Sequence, residues 1–369
     1  MTAGATIPDP IGVLLEAHDV VVCVGSGGVG KTTTSATLAL EAARRGRRAC
    51  VLTIDPARRL ADAMGLDSAA ARGSRPVQVE GPWSGELWTV MLDTRVTFAE
   101  LIETYAPNPE QARRILDNRF FRNIADALSG THEYMAMEKL HELHADDRFD
   151  LVIVDTPPTT NALEFLDAPN RITSFLDHRL YRILVTPSNT LARAMNVAAQ
   201  TVLRSISRIV GASVVDDVIE FFANFDGMEE GFRARAVSVR TLLASERTTF
   251  VLVTIPRRDV AQEATTFVGD LRAAGVDVAA LIVNRVHPNF SPRPLDELRA
   301  RLGPLSDGPL APFVTALLDA TTIAGTEMDH LAGLTGALPT AAVRLVPFLD
   351  ADVHDLAGLE RLRRHLITG

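Results

Sequence analysis

Lysine is almost missing from this chain of 369 residues: of 37 basic residues only Lys31 and Lys139 are lysine, and all other positive charge is arginine. A lysine kept against such a bias marks a place where a slim point charge on a flexible stem is needed and a wide planar fork does not fit. Cysteine is as scarce. Cys23 and Cys50 each lie inside an apolar run, which excludes a disulfide scaffold and fits a reducing compartment. No apolar run approaches the roughly 18 residues of a membrane span, and the opening MTAGATIPDP lacks the basic stretch of an export signal. The expectation is a cytoplasmic protein without stable membrane insertion. A positive net charge is missing too. Acidic residues outnumber basic ones 46 to 37, a net charge of −9, so the overall field repels phosphate backbones and no nucleic-acid partner is expected. What remains is ordinary: 47% hydrophobic and 22% charged residues exclude disorder and suit two or three structural units.

The first apolar run, Val20 to Val24, is β-branched and lacks alternation, as a strand covered on both faces should. It leads into GSGGVGKTT, after which the pattern from Thr32 is helical and stops at Gly46. Similar buried runs are ACVLTI, ending at Asp55, then Leu87 to Leu92, Asp150 to Asp155, Thr249 to Thr254 and Val278 to Asn284, with Ala342 to Phe348 as a weaker candidate. Strands alternating with helices predict an α/β fold with a mostly parallel central sheet flanked by helices. Residues 93–147 and 170–247 break the alternation: they carry helical periodicity without a buried strand, as in Leu191, Met195, Ala198, Val202, Ile206 and Ile209. The economical division is a core made of 1–92, 148–169 and 248–369, with a helical subdomain assembled from the two insertions. The other reading is that these helices pad the faces of the sheet.

Gly25, Gly30, Lys31 and Thr32 satisfy G-x-x-x-x-G-K-[ST] between a strand and a helix, the context that gives this motif its meaning. Glycines let main-chain N–H groups turn inward around an oxyanion, and the helix start adds its positive dipole end. The loop Gly25, Ser26, Gly27, Gly28, Val29, Gly30 is therefore the expected phosphate cradle of a P-loop NTPase. Lys31 would neutralise β- and γ-phosphate charge, the Thr32 hydroxyl would be a hard ligand for Mg²⁺, and Thr33 is placed for the α-phosphate. Asp155 ends an apolar strand, where open α/β sheets bind ligands, and suits a carboxylate holding magnesium or its waters. Asp55 also stands at a strand exit, where it would orient or deprotonate the attacking water, or else cap a helix. Asn284-Arg285-Val286-His287 looks like the guanine-reading N-K-x-D tetrapeptide, but a His stands where the acceptor carboxylate is required. The base expected is adenine, with Asn284 as an amide reader, or Asn284 merely caps a turn.

Taken together, GSGGVGKTT, DPARRL, DTPPTTNALEFL, VNRVHP and VPFLDADVHDLAGLERL resemble the ATPases of arsenite pumps and of tail-anchored membrane-protein targeting, dimeric P-loop proteins of the deviant-Walker class, in a bacterial-type version. The resemblance runs over most of the chain. It implies a nucleotide-driven dimer that opens and closes a helical surface; the partner expected is a second copy or a related ATPase chain, with a hydrophobic protein as a candidate client. It also implies Asp55 as the hydrolytic residue, Asp155 as the Walker B acid, and Asn284 with the Pro347 segment around adenine. Two departures matter. The class usually has a second lysine just after the first loop glycine, and here the position is Ser26. No thiolate site for As(III) can be built from Cys23 and Cys50, and the C-x-x-C zinc clamp of eukaryotic targeting factors is absent. The expected activity is Mg-ATP hydrolysis gating a partner surface; for want of the lysine, either closure relies on an arginine, or hydrolysis is slow, or the partner is a related chain that keeps the lysine. The alternatives are a hydrolysis-poor scaffold and a membrane-surface positioning ATPase using the tail stripe Leu356, Leu359, Leu362 and Leu366. A client groove could draw on Met135, Met137, Met195 and Met228, more simply read as core filler, or on Phe221, Phe222 and Phe225 as an exposed patch.

Overall fold

The computed structural model describes residues 9–54, 59–65, 73–119, 121, 131–157, 162–177, 217 and 220–367. The chain opens with α1 (Pro10–Ala17), β1 (Val20–Val24), α2 (Lys31–Arg44), β2 (Arg48–Thr53), α3 (Arg59–Ala63), β3 (Val77–Val79) and β4 (Glu86–Met91). Helices α4 (Thr94–Tyr105), α5 (Pro109–Asp117) and α6 (Thr131–His144) lead to β5 (Leu151–Asp155) and α7 (Ala162–Asp177). Then come α8 (Glu229–Leu243), β6 (Thr248–Thr254), α9 (Arg258–Ala273), β7 (Val278–Val286), α10 (Leu295–Leu302), α11 (Ala311–Ala337), β8 (Ala342–Pro347) and α12 (Leu356–Ile367).

The eight strands form one sheet in the order β3-β4-β2-β5-β1-β6-β7-β8. Every pairing is parallel except β3 with β4. This is an α/β P-loop NTPase architecture. Strand β1 runs down the middle, which explains its unbroken apolar sequence: Val20, Val22 and Val24 face one core, Val21 and Cys23 the other. The second core is closed by Leu15 of α1, Leu38 of α2 and Leu359 of α12; the first by Ile102 of α4, Leu140 of α6, Phe232 of α8 and Leu271 of α9. The helices between 93 and 147 therefore share one continuous apolar cluster with sheet residues Val90, Val152 and Phe250. The expected strand candidates are all present, including the weaker one, now β8. Strand β3, too short for a sequence pattern, is additional.

The tail stripe belongs to the core. Leu359, Leu362 and Leu366 are buried against α2 and the sheet, and Arg363 is held by Glu41 and Glu360 at 2.8 Å each. Laying α12 on a membrane would uncover three leucines that each contribute roughly 1.5–3 kcal/mol where they are. The aromatic run is core as well. Phe221 and Phe225 are buried, Phe221 stacks on Phe121, Phe225 stacks on Phe232, and Phe222 is half-buried, so no exposed patch forms there. Met135, Met137 and Met228 are buried. Met195 and the rest of its periodic stripe lie outside the described residues.

Candidate nucleotide site

The site begins where β1 leaves the sheet. Gly25 has φ +149°, and a Cβ there would stand 2.1 Å from the Val253 carbonyl oxygen, so the chain turns over β6 with no room for a side chain. At Gly28, φ +75°, a Cβ would meet nothing within 4 Å: this part of the loop borders open space. Gly30, φ +100°, is the N-cap of α2, and its carbonyl accepts from Thr34 N at 2.9 Å. The loop amides and the helix start thus share one concavity, with the positive end of the helix dipole behind it.

Lys31 lies beneath the loop, only 6% exposed, and its ammonium donates to the carbonyl oxygens of Gly25 and Ser26 at 2.8 Å each. A guanidinium is too broad for that position, which accounts for a lysine in an arginine-rich chain. One residue on, the Thr32 hydroxyl donates to Asp155 Oδ2 at 2.7 Å. Thr53 at the end of β2 donates to the same oxygen at 2.9 Å, and Asp155 is fully buried at the end of β5. A hydroxyl and a carboxylate in contact at the mouth of the loop are a hard, all-oxygen donor pair. The Thr156 hydroxyl, donating to Cys23 O at 2.7 Å, ties the next segment to β1. Burial pushes the Cys23 thiol up to about 12 and the Cys50 thiol further in the same direction, so neither supplies a thiolate at neutral pH.

A cavity of about 540 Å³ opens over this constellation. Gly28, Gly30, Lys31, Thr32 and Thr33 form its floor, Asp62 and Ala63 of α3 one wall, and Thr156, Arg285, Val353 and His354 the remainder. Val29 is buried beneath, and Ser26 and Gly27 flank it toward solvent. Asn284 acts on the loop itself. Its Nδ2 donates to Val29 O, its Oδ1 accepts from Arg285 N, both at 2.9 Å, and a Cβ on Gly30 would be 2.3 Å from Nδ2. Pro347 is in register with Val286 at the end of β8, outside the cavity lining. Asp55 lies outside the described residues, as do residues 158–161 of the second switch segment. Asp62, Arg285 and His354 were not singled out from sequence. Arg285 and His354 sit inside motifs read for other residues, and a lone Asp in a short helix gives no signal. Among the described residues, no group of three or more His, Cys, Asp or Glu could hold a metal on its own.

A family model described as anion-transporting ATPase matches residues 18–302, from just before β1 through α10. The chain belongs to the anion-transporting ATPase family. Membership makes it an ATPase, an α/β P-loop enzyme that takes a nucleotide. Among similar proteins are ATPase GET3 of Malassezia globosa, 28% identical over 267 residues covering 72% of each chain, and ATPase GET3B of Arabidopsis thaliana, 28% identical over 302 residues covering 72% of this chain and 64% of the relative. ATPase ARSA1 of Chlamydomonas reinhardtii is 28% identical over 282 residues, 71% of this chain but 34% of that longer relative. No helix among the described residues of this family member is long and apolar enough to cross a membrane.

Proposed function

We propose that this chain is a cytoplasmic, Mg²⁺-dependent ATPase whose nucleotide cycle opens and closes a dimer and so gates a helical surface for a hydrophobic protein client. The observation that carries the reading is the Thr32–Asp155 contact at 2.7 Å beside the ammonium of Lys31. It places a hard-oxygen pair and a cation at one loop mouth, the requirement for holding a polyphosphate.

In this reading the main-chain amides from Gly25 to Gly30 surround the phosphates and Thr33 meets the α-phosphate. Lys31 exchanges its two carbonyl partners for β- and γ-phosphate oxygens; anionic partners bind an ammonium more strongly than neutral carbonyls do. Thr32 and Asp155 would hold Mg²⁺, which when bound neutralises charge between those phosphates. Asp55 orients the attacking water and takes its proton. Fixed donors already aimed at the transferred group stabilise developing charge without reorganising during the reaction. Asn284 and the Pro347 segment border adenine, and the hydrogen bond from Asn284 to Val29 couples base recognition to loop position. The helical region drawn from 93–147 and 170–247 supplies the client surface.

A single phosphate loop means a second nucleotide site comes from a second subunit, a copy of this chain or a related one. With Ser26 in place of a lysine, no ammonium reaches across from that position, and hydrolysis by the chain alone is slow. Light scattering on Asp55→Asn tests the cycle: with Mg-ATP the mass should double relative to nucleotide-free protein. A mass that saturating nucleotide leaves unchanged, alone and with a related chain added, would remove the dimer gate.

A further inference from the structure

Most arginines around the sheet are committed to carboxylates. Arg45 pairs with Asp9, Glu16 and Glu41, Arg48 with Asp150, and Arg363 with Glu41 and Glu360. Arg285 differs. It is exposed, it lines the same cavity as Gly30, Lys31 and Thr33, and among the described residues no carboxylate pairs with its guanidinium. Its backbone is also unusual: φ is +59°, left-handed, which a long L side chain adopts only against resistance from its own Cβ. Such conformations persist where surrounding structure enforces them, and they cluster at functional sites. The enforcing contact here is visible. Asn284 Oδ1 accepts from Arg285 N while Asn284 Nδ2 donates to Val29 O, so one amide fastens the strained residue to the phosphate loop.

Charge points the same way. A magnesium-loaded nucleoside triphosphate retains net negative charge, and a fixed opposite charge nearby stabilises it. Lys31 supplies one positive charge to the cavity, while Asp62, also on its lining, opposes binding. Another cation is needed for balance, and among the described residues Arg285 is the arginine on the lining.

We propose that Arg285 is a nucleotide-binding residue whose guanidinium pairs in cis with an anionic phosphate oxygen. This rests on the ATPase reading above and adds a residue to it. A forked guanidinium suits two phosphate oxygens at once, and an arginine remains charged at any working pH. The left-handed backbone is then the cost of aiming it.

The test is Arg285→Gly, which removes the guanidinium and at the same time installs the residue that adopts φ +59° without strain. Calorimetric titration should show Kd for Mg-ATP and Mg-ADP raised roughly tenfold or more, as loss of a charge-assisted hydrogen bond implies. The dependence of log Kd on log salt should flatten, since one screened attraction is gone. Tm without nucleotide should equal or exceed that of the unaltered chain, and Arg285→Lys should recover part of the affinity. Unchanged Kd and salt slope in Arg285→Gly would overturn the proposal, as would a lowered Tm with affinity restored at reduced temperature. Failure of the unaltered chain to bind Mg-ATP, with Lys31→Ala as reference, would instead overturn the reading beneath it.

Discussion

The only two lysines of this protein are both buried, Lys31 at 6% and Lys139 at 2% exposure, in regions that use them differently. At the carboxyl end of the sheet, Lys31 is held by two neutral carbonyl oxygens, and Asp155 accepts from two neutral hydroxyls. In the helical layer, Lys139 on α6 meets carboxylates, Glu142 at 2.7 Å and Glu100 of α4 at 3.2 Å. Close by, Glu138 accepts from Tyr134 and lies 3.1 Å from Arg235 of α8, whose Nε also donates to Tyr105. Charge matched by opposite charge is settled and serves to fix helix against helix. At the loop mouth, an ammonium donating to carbonyl oxygens gains more from a polyphosphate than from those carbonyls.

The widest separation should come from removing each ammonium. Lys31→Ala is expected to cut phosphate release at least a hundredfold, to the level of buffer, while Tm moves little, because the carbonyls it leaves turn to water in the open loop. Lys139→Met should do the reverse: activity within about twofold, and stability lower by roughly 1–2 kcal/mol, as a packed stem loses its ion pairs. Thermal unfolding and phosphate release on the same preparations compare them, and an inactive Lys139→Met with normal Tm would break the distinction.

A smaller contrast lies within the site. Thr32 and Thr53 donate to the same oxygen of Asp155, but only Thr32 lines the cavity. Thr32→Ala should therefore lower phosphate release about ten- to a hundredfold and raise the Mg²⁺ concentration needed for half-maximal rate. Thr53→Ala should cost about 1 kcal/mol of stability with that concentration unchanged. Equal shifts in both magnesium titrations would assign Thr32 a purely structural part.

The smallest effect concerns Glu138, which burial pushes up to about 7 against the downward pull of Tyr134 and Arg235. A carboxyl with a raised folded pKa contributes stability that is present in full below its ordinary value near 4.5 and is lost as pH rises through 7. Tm should thus fall modestly between pH 5 and 8, and Glu138→Gln should flatten that fall while leaving nucleotide affinity alone. Parallel melting curves across that range would show Glu138 titrating normally.

Legibility followed the range of the interaction. The strand, the loop, Lys31 and Thr32 are contiguous, and their residue types answer a local geometric need, so their pattern declares them. Asp155 could be read because an acid ending four apolar residues marks the end of a buried strand. The Phe221 and Phe225 rings could not be oriented, because helical spacing says which residues share a face and not what covers it. The tail stripe suffered the same ambiguity until Leu359, Leu362 and Leu366 were found against the sheet.

Sequence alone determined the parallel α/β core and the identity of the phosphate-loop residues, since strand burial, glycine-dependent turns and helix starts are imposed within a few residues of chain. Only the tertiary structure decided that Asn284 reaches back 255 positions to Val29, that Asp62, Arg285 and His354 line one cavity, and that Lys139 meets carboxylates of two helices. The physical reason is that hydrogen bonds and ion pairs act over about 3 Å of space, whatever the separation along the chain. The order of strands in the sheet, which no local pattern encodes, sets which of those distances become short.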